Sequence, residues 1–158
     1  MKEYKTVITE STDPFFFTVY ANSREAEISA WGWTPEEQGE FLRMQYQCQQ
    51  RSYQMQYPDL ESRIIYVENT PAGRILLAQT ETGRVLVDIS LLTEFRNRGI
   101  GHALLRELQE EMRPGESLRL AVLKSNPARR FYERLGFQLL QAGEPYLTMI
   151  WRKSEPDN

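Results

Sequence analysis

Between Leu91 and Ala103 the chain reads Leu-Leu-Thr-Glu-Phe-Arg-Asn-Arg-Gly-Ile-Gly-His-Ala. An apolar run ends, an Arg-x-x-Gly-x-Gly turn follows, and a helical period begins. Gly99 and Gly101 let the backbone come close to a bulky anion and aim several N–H groups at it. The start of a helix adds its partial positive charge at the same point. Arg96 and Arg98 can donate further hydrogen bonds to phosphate oxygens. The chemistry these residues suit is the holding of a pyrophosphate on the main chain of Asn97, Arg98, Gly99, Ile100, Gly101 and His102. Neither the Gly-x-Gly-x-x-Gly dinucleotide fingerprint nor the Gly-Lys-Ser/Thr phosphate loop is present. A helix start that happens to hold two glycines and two arginines would look the same, so this loop alone does not decide its use.

The elements that must position the loop surround it. Val85 to Leu92 is β-branched and apolar, and reads as the strand that enters the turn. Ile100, Ala103, Leu104, Leu105 and Leu108 then keep helical spacing as far as Met112, and Pro114-Gly115 ends that helix. Leu118-Leu120-Val122 alternates as a strand, and Asn126-Pro127 opens a helix with Phe131, Tyr132 and Leu135 on one side and Gly136 past its end. Two further strands are expected near Phe137–Leu140 and Tyr146–Trp151. Upstream, Ile64–Val67 and Ile75–Ala78 precede Val85–Leu92 with turn signals between them, which favours an antiparallel meander. Thr34-Pro35-Glu36-Glu37 is a capping box with proline at the first helical position, so a helix is expected from there to about Gln56, before Tyr57-Pro58. Its apolar residues are sparse, so one side must meet something polar. Phe15 to Tyr20 is aromatic and β-branched and reads as a first strand, with Asn22 and Ser23 capping a short helix towards Trp31. The order of elements predicts an α+β or mixed α/β layer fold.

The 158 residues suit a single domain, 1–158, with polar and flexible ends expected over 1–13 and 153–158. A net charge of -3 gives nucleic acid or an anionic membrane no general attraction. The single Cys48 rules out an internal disulfide framework and suits a reducing cytoplasm. No apolar run approaches the ~20 residues of a membrane span, no signal-peptide core leads the chain, and no metal is expected.

A second segment narrows the reading. Asn126-Pro-Ala-Arg-Arg-Phe-Tyr-Glu-Arg-Leu-Gly-Phe137 follows the strand Leu118 to Leu123. With the Arg96–Gly101 turn it resembles the GNAT superfamily of acetyltransferases. That family's pattern is a strand, an Arg/Gln-x-x-Gly-x-Gly/Ala loop, a helix, a strand, then Asn-(x)-x-Ala-x-x-Phe/Leu-Tyr-x-x-x-Gly-Phe. The resemblance is firm over Val85 to Phe137. It implies a central, mostly antiparallel, splayed sheet of about seven strands flanked by about four helices, and transfer of an acetyl group from acetyl-CoA to a primary amine. It also implies that the main chain of Ile89 and Leu91 pairs with the pantetheine arm, that the pyrophosphate sits on Asn97 to His102 with Arg96 at the motif's first position, and that Asn126 hydrogen-bonds the pantetheine.

Tyr132 matches the tyrosine that commonly faces the sulfur as general acid. The chemistry agrees: aminolysis of a thioester expels a thiolate whose parent pKa is ~8.5, and a phenol of pKa ~10 can protonate it within hydrogen-bond reach. The other reading of Tyr132 is one more aromatic on a buried helix face. The amine must shed a proton, since a lysine-like amine of pKa ~10.4 lies ~3.4 units above neutrality, adding ~4.6 kcal/mol to the barrier. Many family members carry a glutamate for this on the strand after the loop helix. Here that position is Ala121, which removes the usual base and leaves Asp88 as the substitute. Asp88 could equally be a carboxylate paired with an arginine of a neighbouring strand. His102, the single histidine, is expected to contribute its backbone at the helix start rather than a base.

The resemblance puts the acceptor around Trp31 to Tyr57 and Gly143 to Tyr146, and Gln45, Gln49 and Tyr53 at four-residue spacing could line a polar pocket. A solvated helix face accounts for them equally. No dense acidic run calls for a polycation, and the acceptor could be a small molecule or a protein amine. Many family members dimerise. The alternative to an enzyme is a catalytically silent acyl-CoA-binding sensor, which would keep Arg96 to Gly101 and need neither acid nor base.

Overall fold

The computed structural model describes residues 3–156. Seven strands and four helices follow one another as β1 (Tyr4–Thr9), α1 (Phe15–Ser29), α2 (Pro35–Gln56), β2 (Glu61–Val67), β3 (Thr70–Thr80), β4 (Gly83–Leu91), α3 (Ile100–Glu111), β5 (Ser117–Leu123), α4 (Ala128–Arg134), β6 (Gln138–Ala142) and β7 (Tyr146–Arg152). A 3-10 turn, Thr93–Phe95, links β4 towards α3. The strands form a seven-stranded sheet in the order β1-β2-β3-β4-β5-β7-β6. The pairs β1–β2, β5–β7 and β6–β7 are antiparallel, and β4–β5 is parallel. The expected mostly antiparallel sheet of seven strands with four helices is what the chain forms.

The backbone gathers into two compact units, neither a continuous stretch of chain. One takes the residues up to Leu76 together with Asp88–Arg98, and the other takes Leu77–Val87 together with the residues from Gly99 on.

In the first unit the aromatic run Phe15 to Tyr20 is helical, not the expected strand. Phe16, Val19 and Tyr20 recur at i, i+3 and i+4 and are buried, so helical periodicity with a core to face overrides their β propensity. Asp13 starts the helix, its Oδ1 accepting the Phe15 N–H at 3.0 Å. Asn22 therefore lies within α1 and does not cap it. Tyr20, Ile28 and Leu42 form a small core between α1 and α2, flanked by Phe17, Phe41 and Tyr46. The α2 capping box is complete: the Thr34 hydroxyl accepts from the Glu37 N–H and the Glu37 carboxylate from the Thr34 N–H. Within the N-terminal stretch expected to be flexible, Tyr4–Thr9 is an ordered edge strand, from Tyr4 opposite Val67 to Thr9 opposite Ser62. Residues 1, 2, 157 and 158 of the expected mobile ends lie outside the described residues.

In the second unit α3 buries Ile100, Leu104, Leu105, Leu108 and Gln109 along one face. Each such leucine contributes about 1.5–3 kcal/mol on burial. β5 alternates, with Leu118, Leu120 and Val122 inward and Arg119, Ala121 and Leu123 outward. The parallel β4–β5 ladder covers only Gly83–Val85 against Ser117–Arg119. Both strands continue beyond it, and Leu86 and Val87 of this unit are no longer paired with β5.

Candidate active site

Arg96, Asn97, Arg98 and Gly99 are all exposed, on the turn that leads out of β4 into α3. Asn97 and Gly99 both hold positive φ, +62° and +77°, which lifts the backbone out of the preceding strand direction and starts the helix. Gly99 is the N-cap, no side chain caps the helix, and its first turn holds no acidic residue. The leading N–H groups of α3 thus have no side-chain acceptor, which is the electrostatic arrangement that favours an anion. The two glycines differ. Gly99 is needed for its φ and has open space around it, whereas Gly101 is ordinary helix in which an added Cβ would meet nothing nearer than Phe131 Cζ at 3.7 Å. The protein itself does not require glycine at 101, so the bare backbone there suits a group that comes in from outside. Among the described residues neither Arg96 nor Arg98 has a carboxylate partner: Arg98 lies over the Phe95 ring at 5.4 Å, and Arg96 Nε donates to the Leu91 carbonyl at 2.9 Å. That last bond occupies a main-chain acceptor expected to be available to pantetheine. The turn is also held by α1, because the Asn22 Oδ1 accepts from both the N–H and the hydroxyl of Thr93 at 3.0 Å. Sequence reasoning gave Asn22 only a capping role, and nothing local in the sequence signals the tether.

Along β4 the apolar residues Val85, Val87, Ile89 and Leu91 are each half-buried. Asp88 and Ser90 stand on the alternate face. Arg74 of β3, nearly fully buried, donates from Nε to Asp88 Oδ2 at 2.7 Å and from Nη2 to Gln49 Oε1 at 2.9 Å, and the Ser90 hydroxyl donates to the same Asp88 Oδ2 at 2.9 Å. Of the two roles open to Asp88, the partner of an arginine on the neighbouring strand is the one its geometry displays. Arg74 escaped sequence reasoning because it stands at the edge of the apolar run Ile75–Ala78, where it looks like a turn residue.

The second motif lies in the second unit. The Asn126 side-chain Oδ1 accepts from the Ala128 N–H at 2.9 Å, so this side chain serves the start of α4 locally. Tyr132 is buried, its ring edge-on to Phe131 at 5.2 Å and to Phe137 at 5.7 Å. Gln109, buried on α3, fixes the end of α4 by donating to the Leu135 carbonyl at 2.9 Å. His102 stands edge-on to Phe131 with centroids 6.4 Å apart. Arg129 and Arg130 line a cavity of about 410 Å³ with Asn126, Pro127 and Glu133. They are a basic pair that the motif reading passed over, although the Arg-Arg doublet stands in the sequence. Ala121, where a glutamate was looked for, faces outward opposite Thr148.

The polar face of α2 is displaced from the expected one. Gln49 is taken up by Arg74, whereas Tyr46, Gln47, Gln50, Arg51 and Gln54 line a cavity of about 440 Å³ with Ser11–Pro14 and Phe17. Burial raises the Tyr46 phenol above its ordinary pKa, against the opposing pull of the Arg74 charge and the Gln50 hydrogen bond. Among the described residues no group of three or more His, Cys, Asp or Glu could hold a metal ion, and no helix is long and apolar enough to cross a membrane.

Against curated protein sequences nothing matches. Solved structures share the fold at low identity. An acetyltransferase from Thermus thermophilus is 17% identical with a TM-score of 0.69, covering 96% of this chain and 99% of its own. The PaiA N-acetyltransferase of Thermoplasma acidophilum, in complex with coenzyme A, is 18% identical with a TM-score of 0.67, covering 94% of this chain and 98% of its own. The ribosomal-protein-S18-alanine N-acetyltransferase of Escherichia coli is 19% identical with a TM-score of 0.61, covering 98% and 96%. The family described as "Acetyltransferase (GNAT) domain" matches residues 61–139, half of the chain, and that span takes in the Arg96–Gly101 turn, the uncapped start of α3 and the Asn126–Phe137 segment. The chain belongs to the GNAT acetyltransferase family.

Proposed function

We propose that the protein transfers an acetyl group from acetyl-CoA to a primary amine by direct attack of the amine on the thioester. The observation that carries this reading is the exposed, uncapped α3 start, with Gly99 in the left-handed region, Gly101 bare without internal need, and Arg96 and Arg98 free of carboxylates among the described residues. When bound, acetyl-CoA supplies an acetyl group activated as a thioester. The N–H groups from Asn97 to His102 hold the pyrophosphate, with the terminal nitrogens of Arg96 and Arg98 adding donors. Ile89 and Leu91 offer main-chain groups to the pantetheine from one edge of β4, the Leu91 carbonyl by the lone pair that Arg96 Nε does not use, and the Asn126 amide adds a donor. The Tyr132 hydroxyl delivers the proton to the departing sulfur. Asp88 keeps Oδ2 for Arg74 and Ser90, so the proton leaving the amine goes to its Oδ1 or to water. We read the acceptor as a small-molecule or protein amine and the compartment as cytoplasmic.

Calorimetric titration with acetyl-CoA, beside dephospho-CoA and NAD, tests the reading. Saturable binding of acetyl-CoA and none of NAD, followed by amine-dependent release of free thiol, is the expected result. Absence of acetyl-CoA binding overturns it.

A further inference from the structure

The two halves of α2 differ in composition. Its first half carries Glu36, Glu37, Glu40 and Arg43, whereas from Met44 to Gln56 Arg51 is the one charged residue among Gln45, Gln47, Gln49, Gln50, Gln54 and Gln56. Amides offer hydrogen bonds without net charge. Gln47, Gln50 and Gln54 join Tyr46 and Arg51 along the cavity of about 440 Å³ that also touches Ser11–Pro14 and Phe17. All of these residues belong to the first unit, and the size suits a small molecule.

The hydrogen bonds of this wall leave donors over. Gln50 Nε2 donates to the Ser11 carbonyl at 3.0 Å and to the Tyr46 hydroxyl at 2.7 Å, so both amide hydrogens are used. The Tyr46 oxygen thereby accepts, and its own hydrogen meets no acceptor among the described residues. Burial raises the phenol pKa, so that hydrogen stays in place at neutral pH. Among the described residues Arg51 has no carboxylate partner, and neither has Arg43, whose guanidinium stands over the Phe17 ring at 5.7 Å. The carboxylate that lines the cavity is already committed. Asp13 Oδ1 accepts the Phe15 N–H at 3.0 Å, and its Oδ2 accepts the Thr9 hydroxyl at 3.4 Å.

Spare donors, an unpaired guanidinium and an aromatic flank share one complement, a small organic anion. The fork of an arginine matches the two oxygens of a carboxylate, and a phenol donates to the same oxygens. Phe17 and Tyr46, edge-on at 5.5 Å, give apolar surface to the carbon body of such a ligand. We propose that this cavity binds a small organic carboxylate, with Arg51 and the Tyr46 hydroxyl as its donors and the Gln47 and Gln54 amides beside them. The site is independent of acetyl transfer, and its occupant ties Ser11–Pro14 to α2.

Acetate, succinate and benzoate, beside their neutral amides and inorganic phosphate at matched ionic strength, probe the full chain by calorimetry and by thermal midpoint. At least one carboxylate is expected to bind saturably and raise the midpoint, while its amide does neither. Tyr46→Phe, which keeps the ring, and Arg51→Gln, on an exposed side chain, should each weaken that carboxylate about tenfold. Unchanged midpoints of the unliganded variants separate lost affinity from lost folding. Binding of no carboxylate overturns the proposal, as does equal binding of the amide or an affinity that neither variant moves. Phosphate bound as tightly as any carboxylate overturns the ligand class.

Discussion

Helix α3 buries five of its 12 residues, whereas α2, with 22, buries one. The first is a scaffold whose working part is its end: an apolar stripe anchors it, and in the proposed function the backbone at Gly99–Gly101 holds the pyrophosphate. The second is a platform whose working part is its side, since residues that face no core are available to meet ligands or one another. The comparison separates two kinds of recognition. Main-chain recognition depends on φ and on the absence of side chains. Side-chain recognition depends on which residues a helix brings into line.

The sharpest way to break this comparison is Gly101→Glu. A carboxylate in the first turn suits the helix dipole, so the thermal midpoint should hold or rise, while acetyl-CoA affinity falls at least a hundredfold by calorimetry. Equal affinity would mean that the end of α3 is only structural. Tyr132→Phe comes next, in α4, whose Phe131 approaches Gly101 and His102. Turnover should fall by about a hundredfold or more, the usual contribution of a positioned acid, while acetyl-CoA affinity stays within twofold. Equal loss in both would make Tyr132 a packing residue only.

On the other side of the comparison, Asp88→Asn tests the network that ties Gln49 of α2 to Arg74. Removing the carboxylate leaves the Arg74 charge buried without its counter-ion, and denaturant unfolding should show a loss of about 3 kcal/mol. If Asp88 also accepts the amine proton, kcat/KM falls by about a hundredfold. An unchanged kcat/KM with the same loss of stability would leave only the structural role. The smallest effect is expected from Thr34→Ala, which removes half of the capping box and should lower stability by about 1 kcal/mol. Should it also raise KM for amines, the end of α2 would matter to recognition as much as its side.

What could be foreseen from the chain follows the same division. The Arg96–Gly101 turn was legible because two glycines and the start of a helix are local signals, and α3 because its apolar period is strong. The start of α2 was legible because a capping box is a local device. Phe15–Tyr20 is a helix against its aromatic and β-branched composition because the spacing of Phe16, Val19 and Tyr20 acquires meaning only once α2 offers a partner. Tyr4–Thr9 was overlooked because an edge strand with polar alternation carries little apolar signal. Arg74 with Asp88, Asn22 with Thr93, and the cavity joining Ser11–Pro14 to α2 all depend on residues brought together by folding. The Gln45, Gln49, Tyr53 spacing pointed to a polar pocket on α2, yet the cavity there is lined by Tyr46, Gln47, Gln50, Arg51 and Gln54, and no spacing could say that Gln49 would be claimed by a buried arginine.

The interleaving of the two units has a consequence for how the protein is made. The unit that begins the chain takes its last strand segment from Asp88–Arg98, so a nascent polypeptide cannot complete it until Arg98 has cleared the ribosome. Until then the first part of β3 lacks the β4 segment beside it, and α1 lacks the Thr93 that Asn22 will hold. Leu77–Val87, synthesised in between, must wait for the residues beyond Gly99 before it has a unit to join. Synthesis therefore delivers the segments out of the order in which they are packed, and a chain halted anywhere before Arg98 holds no finished unit.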